Sequence, residues 1–155
     1  EELNPLLGFE VTYPPEFPLT EASITSYALL IGGPLLIVLG FLLMVPAIRA
    51  FHFASGTIKN DDPPATLVTS GPYAFVRNPI AISYALILTG LYIISGLTEL
   101  LVINVFLSIG TAIWICCKEE PELRERFGQE YGEYEANVLA WLPRCCPYDP
   151  AQSMV

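Results

Sequence analysis

Positive charge is scarce in this chain. Seven Lys and Arg stand among 155 residues against sixteen Asp and Glu, and none precedes Arg49. With a net charge of -9 and no basic stripe, nothing here is suited to a phosphate backbone, and nucleic-acid binding is excluded. A secretory signal is not the expectation for the first apolar run: it would need a basic start, and the first 23 residues carry five Glu and no Lys or Arg. Histidine occurs once, at His52, too few for a His-based metal site. The four cysteines form adjacent pairs, Cys116-Cys117 and Cys145-Cys146, without Cys-x-x-Cys spacing, which leaves packing or reversible acylation at a membrane surface. No strand pattern and no glycine-rich nucleotide loop is evident. The chain opens on Glu1 rather than Met, so it reads as a fragment or processed product, with room for spans before Glu1.

What fills the chain is hydrocarbon. Apolar residues make up 53% of it, and no charge interrupts Ala22 to Ile48. Ile24 to Val45 at helical rise covers about 33 Å, against a bilayer core of roughly 30 Å. Ala81 to Gly96 and Leu100 to Cys117 are shorter apolar segments flanking Ser95-Gly96-Leu97-Thr98, the pattern of a helical hairpin. The expected fold is an all-α membrane protein in one domain over residues 1–155. Three transmembrane helices occupy 24–117, with a loop at 49–78. Residues 1–23 lie on one side of the bilayer, an amphipathic helix fills 118–144, and 145–155 form a tail. Pro34 and Pro46 should bend or end the first helix, because each removes a backbone donor. Gly33 and Gly40 share one face of that helix; Ala81, Ala85 and Thr89 recur every four residues on the second. Small residues at such spacing let helices approach closely in lipid.

Charge orients the spans. Every basic residue falls between spans one and two or after span three, and three crossings put those regions on one side. By the positive-inside rule that side is cytosolic. Tyr27 and Tyr92 would then lie near the outer interface, and Phe51, Phe53 and Trp114 near the inner one.

Two polar stretches sit at the basic edge. The first runs from Gly56-Thr57 through Asn60-Asp61-Asp62-Pro63-Pro64, turn chemistry throughout, to Arg77-Asn78-Pro79. Asn78 and Pro79 read as N-cap and first residue of span two. Arg77 then stands just outside a helix N-terminus, where a cation opposes the macrodipole, so a bound anionic group is a better explanation than helix stability. A simple anchor that snorkels to headgroups is the plainer alternative. The second stretch starts at Glu119-Glu120. Pro121 disfavours helical geometry at Glu120, so a break is expected there. Beyond it Leu123, Phe127, Tyr131, Tyr134 and Val138 form one apolar stripe on a surface helix. An Arg and two Glu beside hydrocarbon are costly unless paired or bound to something polar.

Thr66-Leu67-Val68-Thr69-Ser70-Gly71-Pro72-Tyr73, then Arg77-Asn78-Pro79, then Glu119-Glu120 and the closing Trp141-Leu142-Pro143, resemble the isoprenylcysteine carboxyl methyltransferase family and the similar phospholipid methyltransferases. The resemblance implies a multi-span enzyme, in the endoplasmic reticulum membrane or a bacterial inner membrane, that uses S-adenosylmethionine on the cytosolic side. A lipid or prenylated-cysteine acceptor would enter from the bilayer. By position, the cofactor pocket would be lined by Thr66, Leu67, Val68, Tyr73, Arg77, Asn78, Pro79, Glu119 and Glu120, with Arg77 and Glu120 as the catalytic pair. A sulfonium, an amino group and a carboxylate call for acids, an aromatic face and a guanidinium, and this chain has all three.

Three positions depart from the family pattern. Ala81 and Ser83 stand where Tyr and Gly are common, and Ile115 stands where prenylcysteine enzymes carry an Arg. Lys118 is the nearest cation, and a point charge does not replace a bidentate fork. Carboxyl methylation of a prenylated cysteine is the leading expectation. N-methylation of a phospholipid amine, an NADPH-dependent sterol reductase and a catalytically silent member are the alternatives.

Overall fold

The computed structural model describes residues 24–54 and 66–150, with the backbone alone for residues 24–28. The expected outer segment 1–23, the turn-rich stretch at 55–65, the Tyr27 side chain and the end of the tail lie outside the described residues. All regular structure among the described residues is helical.

The first helix, α1, runs Ile24–Ala54 through both internal prolines. Pro34 and Pro46 were expected to bend or end it, and neither ends it. A proline removes one hydrogen bond, and within lipid the neighbouring helix and local adjustment of the turn absorb that loss. Here α2 (Pro79–Ser95) supplies the neighbour, antiparallel to α1. Gly33 and Gly40 are both buried in this contact, as their shared face predicts. A Cβ at Gly33 would stand 3.0 Å from the Gly90 carbonyl, and one at Gly40 would stand 2.9 Å from that of Ser83. The facing row on α2 is therefore Ser83, Ile87, Gly90 and Ile94. Ala85 and Thr89 lie on another face and meet α3 instead.

Gly96, in the left-handed region at φ 68°, closes α2, and α3 begins two residues later at Thr98–Trp114. The tight hairpin is as expected. Asn104 on α3 ties the two helices: its amide donates to the Ala85 carbonyl at 3.2 Å and to the Thr89 hydroxyl at 2.9 Å. A buried amide in an apolar run is costly unless it finds such partners.

No break follows α3. Residues Ile115–Glu119 form a π turn that feeds directly into α4, Glu120–Phe127, and Glu120 is helical at φ -63°, ψ -43°. The Glu120 N–H reaches back five residues to the Ile115 carbonyl. The wider turn takes up the irregularity that Pro121 was expected to express as a break. The amphipathic helix expected over 118–144 is also two helices, because Gly128 at φ 52° separates α4 from α5, Gln129–Asn137. Its apolar stripe nonetheless packs as one: Tyr131, Tyr134 and Val138 are buried with Tyr148, and Leu123, Phe127 and Leu67 close over them.

Two helical stretches, Leu29–Ala54 and Thr98–Phe127, are long and apolar enough to cross a membrane, while α2 is a shorter apolar helix of 17 residues. Their outer faces present large apolar side chains, Leu30 at 71% exposure, Leu42 at 66% and Phe106 at 72%. A surface so apolar belongs against lipid rather than water.

Candidate active site

One end of the helical bundle carries the polar chemistry. The C-terminal end of α1, the loop before α2 and the π turn after α3 converge there. The loop is shaped by a short 3-10 turn, Gly71–Ala74, whose first residue adopts φ 61°. Four hydrogen bonds then strap the loop to the C-terminal segment. The Arg77 N–H donates to the Leu139 carbonyl at 3.0 Å, and the Asn78 amide to that of Ala140 at 3.1 Å. The Arg144 and Tyr148 N–H groups donate to Phe75 and Ala74 at 3.0 and 2.8 Å. The Tyr134 hydroxyl adds a bond to the Tyr73 carbonyl at 2.8 Å. Asn78 does precede α2 and Pro79 does open it, as expected, but the Asn78 side chain makes no cap bond to the helix.

Arg77 sits at the centre of a closed ring of four charged residues. Its Nη1 donates to Glu120 Oε1 at 2.7 Å and to Glu135 Oε1 at 3.2 Å. Arg124 grips Glu135 at two points, 3.0 and 2.6 Å, and reaches Glu120 Oε2 at 3.3 Å. Arg77 Nη1 also donates to the Tyr131 hydroxyl at 3.0 Å. Arg77 and Glu120 are each 13% exposed, so the pair is largely out of water. In such surroundings charges must be matched within the protein, and two guanidiniums with two carboxylates are. Arg77 was expected to orient an anionic group; among the described residues its Nη1 partners are Glu120, Glu135 and Tyr131. Hydrogen bonding and attraction from Arg124, opposed by burial and aided by Arg77, hold the Glu135 carboxyl below the usual value.

Glu119 takes no part in the ring and has no hydrogen-bond or ion-pair partner among the described residues. It lines two adjoining cavities instead. One is a pocket of about 80 Å³ bounded by Thr66, Leu67, Val68, Tyr73, Glu120 and the Tyr131–Tyr134 side of α5. The other is a groove of about 1000 Å³ between α2 and α3, largely apolar, reaching from Trp141 and Trp114 to Thr89 and Asn104. Phe51, Tyr73, Arg77, Asn78, Ile115 and Glu119 line both and form the junction. Small-ligand sites run roughly 300–1,000 Å³, so the small pocket alone is too tight for a nucleoside-sized ligand and must act with the groove.

Eight of the nine sequence-selected residues (Thr66, Leu67, Val68, Tyr73, Arg77, Asn78, Glu119, Glu120) thus border the small pocket, and Pro79 borders the groove. The structure brings them together but divides the acidic pair: Glu120 binds Arg77 at the edge of the small pocket, and Glu119 lines both cavities. Burial, then the nearby Glu119 carboxylate, pushes the Tyr73 phenol up to about 12, which keeps it a hydrogen-bond donor at neutral pH. Burial likewise raises Tyr131, against the pull of Arg77.

Sequence reasoning passed over Glu135, Arg124 and Asn104. Asn104 had a signal, as the one amide within an apolar span, and so did Arg124, four residues after Glu120. Glu135 had none, because it meets Arg124 across the Gly128 break. The lysine next to Glu119 lies over the Trp114 ring, Lys118 Nζ standing 4.5 Å from the centroid.

A family model described as phospholipid methyltransferase matches residues 28–130. Comparison with curated proteins and with solved structures finds no match.

Proposed function

We propose, for a chain that belongs to the phospholipid methyltransferase family, that it transfers the methyl group of S-adenosylmethionine to the amine of a phospholipid at the membrane edge. Membership makes the protein a membrane methyltransferase; the acceptor and the cofactor are our reading. The observation that carries the acceptor is the division of charge at the junction. Arg77 is bound by Glu120 and Glu135, Lys118 lies on Trp114, and Glu119, with no hydrogen-bond or ion-pair partner among the described residues, stands where the two cavities meet. A carboxylate acceptor such as that of a prenylated cysteine would meet the acid of Glu119 there. An ammonium would meet its complement.

The residues present fit the cofactor. Arg77 Nε is buried without a hydrogen-bond partner among the described residues, a donor suited to a carboxylate. Tyr73 and Phe51 offer aromatic faces to a sulfonium, and Thr66, Leu67 and Val68 border the same pocket. When bound, S-adenosylmethionine supplies a methyl carbon already activated by its positive sulfur.

The chain's own work is then alignment, exclusion of water and one proton transfer. An ammonium has no lone pair, so it must lose a proton before its nitrogen can accept the methyl group. Glu119 takes that proton. The apolar walls of the α2–α3 groove hold the acyl chains and keep water from the junction. Holding the two reactants in line is worth on the order of 7–11 kcal/mol in favourable cases. Glu120 and Arg77 keep the pocket assembled. In this reading α2 also crosses, making three spans with α1 and α3, the basic end faces the cytosol, and the endoplasmic reticulum is the membrane.

The test is to incubate purified protein in liposomes with methyl-labelled donor and, separately, phosphatidylethanolamine or a farnesylated cysteine. Label in the phospholipid, lost in Glu119→Gln, is expected. Label in the farnesylated cysteine alone would overturn the amine reading in favour of carboxyl methylation.

A further inference from the structure

We propose that Arg124 and Glu135 are positioning residues, which hold the Arg77 guanidinium by one end and so leave its Nε–H for the carboxylate of the methyl donor. The proposal rests on the cofactor reading above. Glu135 lies beyond the stretch that the family model matches.

The grip on Arg77 is lopsided. Three acceptors, Glu120 Oε1 at 2.7 Å, the Tyr131 hydroxyl at 3.0 Å and Glu135 Oε1 at 3.2 Å, all crowd Nη1. That nitrogen carries only two hydrogens. Nε, meanwhile, is buried with no partner among the described residues. A guanidinium left to itself would spread its five donors over the available acceptors, because an unpaired buried donor is costly. Its orientation is therefore imposed by the way the acceptors are held.

The holding is visible. Tyr131 and Glu135 are four residues apart on α5 and share a face, so the helix presents both to Arg77 together. Glu135 is 26% exposed and would be free to turn toward water, but Arg124 clamps both its oxygens, Nε to Oε2 at 3.0 Å and Nη2 to Oε1 at 2.6 Å. The same Nη2 reaches Glu120 Oε2 at 3.3 Å, so each carboxylate bridges both arginines. The ring carries no net charge. It takes the Nη1 end of Arg77 out of play, and the remaining edge of the cation serves an anionic ligand. Neither Arg124 nor Glu135 lines either cavity, which separates positioning from contact.

The experiment is binding calorimetry on the full-length protein in detergent. One ligand is S-adenosylhomocysteine, which keeps the carboxylate; the other is 5′-methylthioadenosine, which has lost the amino-acid portion. Glu135→Gln should weaken S-adenosylhomocysteine about tenfold, the scale of one lost charge-assisted hydrogen bond, and leave methylthioadenosine within about twofold. Glu135→Asp, which restores the charge, should recover part of the loss. Equal weakening of both ligands, or of neither, overturns the proposal. If Glu135→Gln does not fold, Arg124→Gln, altered at a half-exposed side chain, is read by the same two affinities. Wild-type protein that binds neither compound would overturn the cofactor reading itself, and the positioning role with it.

Discussion

Replacing Gly90 with alanine probes the contact on which the whole site is mounted. The added Cβ would stand 2.6 Å from the Gly33 carbonyl oxygen, 2.7 Å from Ile37 Cγ1 and 3.1 Å from the Ile37 nitrogen. Carbon atoms pack at about 3.5–4.0 Å, so α1 and α2 must separate by roughly 1 Å at this point. Two of the three obstructing atoms are backbone, so rotation of a side chain cannot relieve the clash. A radial gap of that size forfeits about half of the dispersion energy of the atoms it parts. Overpacking of this kind costs about 1–3 kcal/mol, and the better helix propensity of alanine returns about 0.5–1 kcal/mol. A net loss of about 1–2 kcal/mol is expected. Gly110→Ala on α3 is the control, because a Cβ there meets nothing within 4 Å, and it should be neutral or slightly stabilising. Thermal unfolding of the two variants in the same detergent gives the comparison. Because Phe51 on α1 lines both cavities, Gly90→Ala should also weaken S-adenosylhomocysteine binding. Equal melting temperatures for the two variants would refute the close-packed α1–α2 contact.

Other consequences can be measured alongside. Arg77→Ala leaves Glu120 and Glu135 facing each other with only Arg124 between them; it should abolish turnover and destabilise the protein by about 3 kcal/mol, whereas retained activity would reduce Arg77 to a membrane anchor. Glu135 has a carboxyl held below its ordinary 4.5, so its stabilisation is complete above that value and is lost as pH falls through the lowered one. Melting temperature in acid should accordingly fall more steeply for wild type than for Glu135→Gln, and parallel slopes would contradict the assignment. Asn104→Leu removes the ties to Ala85 and Thr89 and should cost about 1 kcal/mol in detergent unfolding; no loss would show that α2 and α3 hold without them.

The division of labour between Glu119 and Glu120 shows where sequence reasoning stops. Adjacent acids after an apolar span look equivalent in a string of letters, and Pro121 points to a break rather than a continuous helix. The π turn at Ile115–Glu119 is what distinguishes them, because an extra residue in one turn changes the direction in which each following side chain leaves the helix. Nothing in local propensity announces such a turn. The ring is hidden for a related reason: Glu135 reaches Arg124 only because Gly128 turns α5 back against α4, and long-range pairing is decided by packing rather than by spacing.

Periodicity and composition alone did determine a good deal. An uninterrupted apolar run must be a lipid-facing helix, small residues at Gly33 and Gly40 must mark a close contact, Asn78-Pro79 must open a helix, and Leu123, Phe127, Tyr131, Tyr134 and Val138 must share a buried side. These follow from the helical repeat and the cost of exposing or burying each group, which are local quantities. Tertiary structure decided the rest: which acid pairs with Arg77, which acid lines both cavities, and that α1 continues past Pro46. Each of those is a balance between groups distant in sequence, and only the folded chain sets their separations.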